Sequence, residues 1–428
     1  MATKTRLGGA KARYGEAKAR LPVEMFDIPV HKIRRGYYSA VYFWREKQIL
    51  EILNFSKTVL MQVFQKRDAV LCGTDEALAV LKTCNGYYRN PEQSYKLFDR
   101  YLVLNRKIRG LSAIVRNEET TLLLRGCFNE KLDLEIQLDS LWENAVNRLE
   151  IFSLYDGCTI SPWETVMTIG GLPQYFAHLE SIYLGILTRR TMVATNVARV
   201  VKAAQGKPIL FFADRFDHYE NQTGDGYAAT VGGAQGVATD IMGEWWGKKG
   251  GGTMPHALIA CFGGNTVEAT HAFALAYPEV PCIALVDFNN DCVNTALNVA
   301  SHFRRNNLKL WGVRLDTSEN MVDESLLRSA QMGSEKPTGV NPILVNNVRR
   351  ALDRSGHQDI KIVVSGGFTE EKIEYFEKNK VPVDAYGCGS SLLKGGGDFT
   401  ADIVRVDGKP CAKTGRWERP NIRLQLVE

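Results

Sequence analysis

WGVRLDTSE, residues Trp311–Glu319, is an apolar strand that breaks off into charge and hydroxyl groups. Leu310, Trp311 and Val313 read as a strand buried on both faces, the kind that parallel sheets use, with their chemistry at the carboxyl ends of the strands. Arg314 and Asp316 are two residues apart, so they point to the same side and can together grip a polar or phosphorylated ligand. Working outward, further apolar strand candidates are Pro208–Phe212, Ala257–Phe262, Cys282–Val286, Ile360–Val364 and Val383–Tyr386, alongside Leu308–Val313. Helix-length segments separate them. Such alternation builds parallel βαβ units and favours a closed or nearly closed α/β barrel over a doubly wound open sheet.

The exits of these strands carry the functional reading. They are Ala213-Asp214-Arg215, Gly263-Gly264-Asn265, Asp287 to Asp291, Arg314-Leu315-Asp316, Ser365-Gly366-Gly367 and Gly387-Cys388-Gly389-Ser390-Ser391. A barrel brings all of them to one mouth. The last two are glycine loops at the positions where barrels hold phosphate with backbone N–H groups. Neither a dinucleotide G-x-G-x-x-G nor a P-loop is present, so the expected phosphate grip is of another kind. His256 follows Gly250–Gly252 in GGGTMPHALI and precedes a strand candidate. Asp287, two strand exits on, can hold one ring nitrogen and leave the other as base or nucleophile, although a lone histidine is as easily structural.

Upstream the pattern differs. Gly36–Leu53 suits an amphipathic helix with Val41, Ile49, Ile52 and Leu53 on its apolar face. Its aromatic cluster, Tyr37, Tyr38, Tyr42, Phe43 and Trp44, suits core packing, a wall for a flat ring or a subunit contact. Thr58–Lys66 reads as a strand, Cys72–Thr83 as a helix entered through Thr74, and Ile151–Gly171 as short strands with turns at Asp156-Gly157 and Pro162. Residues 86–146 are polar and helix-prone, with no chemistry attached. The first 175 residues form a mixed α+β layer.

Bulk properties narrow the class. A chain of 428 residues calls for two domains. Its 45% apolar and 24% charged content is that of an ordinary globular protein. A net charge of +5, from 53 basic and 48 acidic residues, gives no case for nucleic acid. Lys4, Arg6, Lys11, Arg13, Lys18 and Arg20 suggest a flexible basic arm, which lacks the apolar core of a secretory signal. No apolar run reaches the length of a membrane span. Nine scattered cysteines, without C-x-x-C or a histidine at zinc spacing, imply free thiols, no protein-built metal site and a cytoplasmic location.

Several of these segments resemble the nicotinate phosphoribosyltransferases, relatives of the nicotinamide and quinolinate enzymes. SAVYFWREKQIL (Ser39–Leu50) is similar to that family's T-D-x-Y-F-x-R start, VLCGTDEALAVL (Val70–Leu81) to V-L-x-G-x-x-E-A-L, and DGCTISPWETVMTIGG (Asp156–Gly171) to its proline turn. GTMPHALI, VRLDTSE, VVSGGF and YGCGSSL are similar to G-T-x-A-H-S, I-R-x-D-S-G-D, S-G-G-L and G-V-G-T, in the same order. KTGRW (Lys413–Trp417) resembles the family's basic tail. The departures are Ala40 for an aspartate, Pro255 for alanine and Thr317-Ser318-Glu319 for S-G-D.

The resemblance implies an irregular TIM-like α/β barrel (179–392) preceded by a smaller α+β sandwich (36–178). An arm (1–35) comes first, and a C-terminal segment (393–428) returns to the sandwich. It further implies a homodimer with shared active sites that transfers phosphoribosyl from phosphoribosyl pyrophosphate to nicotinate. Magnesium and ATP, the latter acting through a phosphohistidine, would be the cofactor and co-substrate. By position, His256 would be phosphorylated and Asp287 would orient it, while Arg314 and Asp316 would hold the pyridine and ribose. Phe212 and a neighbouring subunit's Tyr42 would sandwich the ring, and Arg215 would meet the carboxylate. Ser365, Gly366, Gly367, Gly387, Gly389, Ser390, Lys413 and Arg416 would bind phosphate. Asp240, or Thr239 beside it, falls where nicotinate users carry a hydroxyl and nicotinamide users a carboxylate. Nicotinamide or quinolinate transfer, a sugar-phosphate isomerase and a non-catalytic phosphate-binding barrel are the alternatives.

Overall fold

A computed structural model describes residues 19–114, 117–327 and 336–428. Most of the basic arm, Lys4 to Lys18, lies outside the described residues. The described chain divides into two compact units, residues 190–396 and residues 19–189 with 397–428.

The second of these is built on a six-stranded antiparallel sheet. Its order is Lys409–Pro410, Thr400–Val406, Val59–Phe64, Thr165–Gly171, Glu150–Ser153 and Gln425–Leu426. Val59, Met61 and Val63 turn inward on the strand's two-residue period, onto a core with Leu78, Leu81, Ile169 and Leu187. The opposite face is covered by the tail: Gln62 donates to Trp417 O at 2.9 Å and accepts from Arg419 N at 3.0 Å. Residues 86–146 hold a helical hairpin, Pro91–Ser112 and Glu118–Leu141, with a core of its own around Phe98, Leu104, Leu134 and Trp142. Asn90 caps the first helix, with Pro91 at its opening position, and Asn117 with Thr120 forms a capping box on the second.

The helix expected in Gly36–Leu53 runs from Val41 to Ile52, but with its faces inverted. Val41, Ile49, Ile52 and Leu53 are exposed, and Lys47 is the buried residue. Its ammonium finds three oxygens inside, so the charge is worth more indoors than the aliphatic side chains would be.

The first unit carries a curled parallel sheet in the order Ile283–Leu285, Gly312–Leu315, Lys361–Val364, Ala385–Cys388, Ile209–Phe211 and Gly236–Val237. The last strand of this sheet in chain order, Ala385–Cys388, pairs back with Ile209–Phe211 and curls the sheet into the irregular barrel that the alternation predicts. Strand Gly236–Val237 has too little apolar length to be read in advance. Ala257–Phe262 is not a strand. It is the helix His256–Cys261, and it lies in the chain between the two edge strands of the barrel sheet. A short apolar run cannot be assigned by periodicity, and here alanines favour helix. Gly263 and Gly264, both at positive φ, end it: their N–H groups return to Ala260 O and Ile259 O at 3.0 Å, the double bond of a glycine-terminated helix. The glycines taken as a strand exit are therefore a helix stop.

Candidate active site

A cleft of about 320 Å³ opens at the carboxyl ends of the barrel strands. Strand Gly312–Leu315 projects Arg314 into it, and Asp316 follows from the strand's exit. Phe212 and Arg215 come from the exit of Ile209–Phe211. Ser365, Gly366 and Gly367 follow Lys361–Val364, and Gly387, Gly389 and Ser390 come from the last strand and its exit; all of these line the cleft. A Cβ on Gly387 would stand 2.6 Å from the Phe212 ring, so only glycine lets the aromatic wall lie so close.

The electrostatics are those of a site held open. Arg314 is mostly enclosed, its buried Nε has no hydrogen-bond partner among the described residues, and one terminal nitrogen lies 3.9 Å from Asp316 Oδ2. Burial works against its charge, Asp316 and Asp287 support it, and Arg215 opposes it. Asp316 accepts from Ser365 Oγ at 2.8 Å, which fixes the carboxylate between strand exits. Asp287 Oδ2 meets His256 Nε2 at 3.0 Å, while its buried Oδ1 has no partner among the described residues. Burial pushes the Asp287 carboxyl upward, His256 pulls it down, and Asp316 adds to the rise. His256 opens its helix one residue beyond the lining Pro255, with its side chain 44% exposed.

Asp240 is not among the lining residues. Its Oδ1 accepts from Gly250 N at 2.9 Å and so pins the glycine segment, while Thr239 Oγ1 donates to Gln222 at 2.9 Å. Tyr42, Lys413 and Arg416 belong to the sandwich unit. Tyr42 is exposed beside Phe43, Lys413 is exposed in the tail, and Arg416 pairs with Asp402 at 2.8 Å. Phe216, Phe368 and Thr253–Pro255 also line the cleft and escaped the sequence reading. Phe216 and Phe368 each stand one residue past a recognised strand exit, so extending each exit by a residue would have found them.

No family model matches the chain. The nicotinate phosphoribosyltransferase pncB1 of Mycobacterium tuberculosis is 28% identical over 290 residues, covering 65% of this chain and 59% of that protein's length. A solved nicotinate-nucleotide pyrophosphorylase from Pyrococcus furiosus is 29% identical with a TM-score of 0.67, covering 94% of this chain and 85% of the other. Human nicotinic acid phosphoribosyltransferase shares the fold, with a TM-score of 0.58 at 16% identity over 87% of this chain and 75% of its own. The architecture is thus a phosphoribosyltransferase fold. In sequence the chain is similar to nicotinate phosphoribosyltransferases, and it spans less than two thirds of the length of the Mycobacterium tuberculosis relative.

Proposed function

We propose that the protein transfers the phosphoribosyl group of phosphoribosyl pyrophosphate to the ring nitrogen of nicotinate, giving nicotinate mononucleotide and pyrophosphate. The observation that carries this reading is one cleft lined by a glycine turn, an aromatic wall, two arginines and two carboxylates. The N–H groups of Gly366, Gly367 and Phe368 donate to no group among the described residues, which leaves them for a phosphoester. Phe212 offers a face for the pyridine, and Arg215 a guanidinium for its carboxylate. Displacement at the anomeric carbon passes through an oxocarbenium-like cation, which Asp316 stabilises from its fixed position. Asp240 spends its carboxylate on Gly250 rather than the cleft, which favours an acid over an amide as the base.

Magnesium fits this donor set. Asp287 Oδ1 is buried without a partner among the described residues, and Asp316 lies close enough to raise the Asp287 carboxyl. Two carboxylates suit a cation that arrives on a diphosphate and keeps its waters. Magnesium would neutralise the departing pyrophosphate. ATP coupling would act through His256: with Nε2 held by Asp287, Nδ1 is the nitrogen left for phosphoryl transfer. A homodimer with shared sites is supported by the exposed Tyr37, Tyr38, Val41, Tyr42, Ile52 and Leu53. No described helix is long and apolar enough to cross a membrane. The nine free cysteines suit the reducing, cytoplasmic setting that we propose.

Pyrophosphate release with nicotinate, nicotinamide and quinolinate, each with the same ribosyl donor, tests the reading. Nicotinate should be preferred by at least about tenfold in kcat/KM. Turnover with none of the three, while phosphate esters still bind, would leave a phosphate-binding barrel instead.

A further inference from the structure

Gly366 and Gly367 occupy left-handed backbone in succession, at φ 85 and 67. Behind them, Lys372 in the first turn of the helix Glu370–Lys378 donates Nζ to Gly366 O at 3.3 Å, with the ammonium 4.3 Å from the centre of the Phe368 ring. The peptide between the glycines is trans, so its C=O and N–H point in opposite directions. An ammonium on the carbonyl therefore turns the Gly367 N–H the other way, and Gly366, Gly367 and Phe368 all line the cleft while Lys372 does not. The same charge polarises the amide and makes its N–H a stronger donor.

Glu319 completes the arrangement from the other side. A Cβ on Gly367 would collide with Glu319 Oε1, so the carboxylate rests against the turn itself. Burial pushes the Lys372 ammonium downward and Glu319 counters that push. Glu319 thus offsets part of the burial that Lys372 suffers, and its carboxylate lies beside the amide that would receive a phosphate.

We propose that Lys372 is a positioning residue for phosphate binding, locking the Gly366–Gly367 peptide so that its N–H meets the phosphoester, with Glu319 moderating the affinity. The inference rests on the reading of the cleft as a phosphoribosyl site, and it concerns the phosphate end alone.

Titration of ribose 5-phosphate into the full chain tests it. Lys372→Met keeps the stem over Phe368 but loses the donor and charge, and should weaken binding about tenfold. In transfer assays the KM for phosphoribosyl pyrophosphate should rise by a similar factor, with kcat falling less and the KM for nicotinate unmoved. Lys372→Arg should restore most of the loss. Glu319→Gln should tighten ribose 5-phosphate about threefold by removing the opposing charge. A folded Lys372→Met that binds ribose 5-phosphate within about twofold of wild type overturns the proposal, as does wild type that does not bind it at all. If Lys372→Met does not fold, the sign of Glu319→Gln decides, and no tightening overturns it. Wild type that binds ribose 5-phosphate yet transfers to no pyridine would instead fail the functional reading and leave the phosphate result standing.

Discussion

Lys47 in the sandwich is a buried cation and Arg314 in the barrel a mostly enclosed one, yet their surroundings are opposite. Lys47 is 2% exposed and reaches Gly86 O at 2.6 Å, Gln174 O at 2.7 Å and Glu51 Oε1 at 2.8 Å. Every proton of its ammonium is used. Arg314 has an Nε without a partner among the described residues and only a 3.9 Å approach to Asp316. A satisfied buried charge holds a fold together, whereas a cation short of partners beside a cleft is the kind of group that the proposed function assigns to ligand binding.

Substitution to methionine should separate the two roles. Arg314→Met should lower phosphoribosyl transfer about 10³-fold, the loss of a fixed charge at a reacting centre, while thermal stability stays within about 1 kcal/mol. Lys47→Met should do the reverse. It strands two buried carbonyls and should lower stability by about 3 kcal/mol, read as a drop in melting temperature, with kcat/KM of the surviving folded protein little changed. If Arg314→Met unfolds the chain while remaining active when folded, the distinction between the two cations collapses.

The His256–Asp287 pair lies between these extremes, with one carboxylate oxygen engaged and the other open. His256→Ala and Asp287→Asn should each remove whatever stimulation ATP gives, about tenfold, and the double variant should lose no more than either alone. Pyrophosphate release with and without ATP measures this. Additive losses would mean that the two residues act separately.

The difference between the units also governs what the sequence made legible. Strand exits of the barrel could be read because apolar runs end in Arg314-Leu315-Asp316 or Ser365-Gly366-Gly367, and topology gathers such ends at one mouth. The run after His256 misled, because six apolar residues carry no period and only the following Gly263-Gly264 pair marks a helix end. In the sandwich, the helix Val41–Ile52 existed where expected, but tertiary oxygens on other segments drew Lys47 inward and turned the aliphatic face out. No local pattern could announce partners at Gly86 and Gln174. Asp240, read as facing the base, lies off the cleft for a related reason: its partner is the Gly250 amide, which only the fold brings near.

One half-buried acid in the sandwich is not answered as Lys47 is, and it sharpens the contrast at the smallest scale. Burial, then Glu46, then Asp402, push the Glu180 carboxyl up to about 8. Its ordinary value is 4.5, so the folded state holds a proton that the unfolded chain releases between those two values. Stability from this group is therefore complete below the lower value and is lost as pH rises through the upper one. The melting temperature of the full chain should fall by a few degrees between about pH 5 and about pH 9, and Glu180→Gln, permanently neutral, should flatten that slope. Equal slopes in the two proteins would mean that a cation already neutralises Glu180, and the sandwich would then satisfy this charge as completely as it does Lys47.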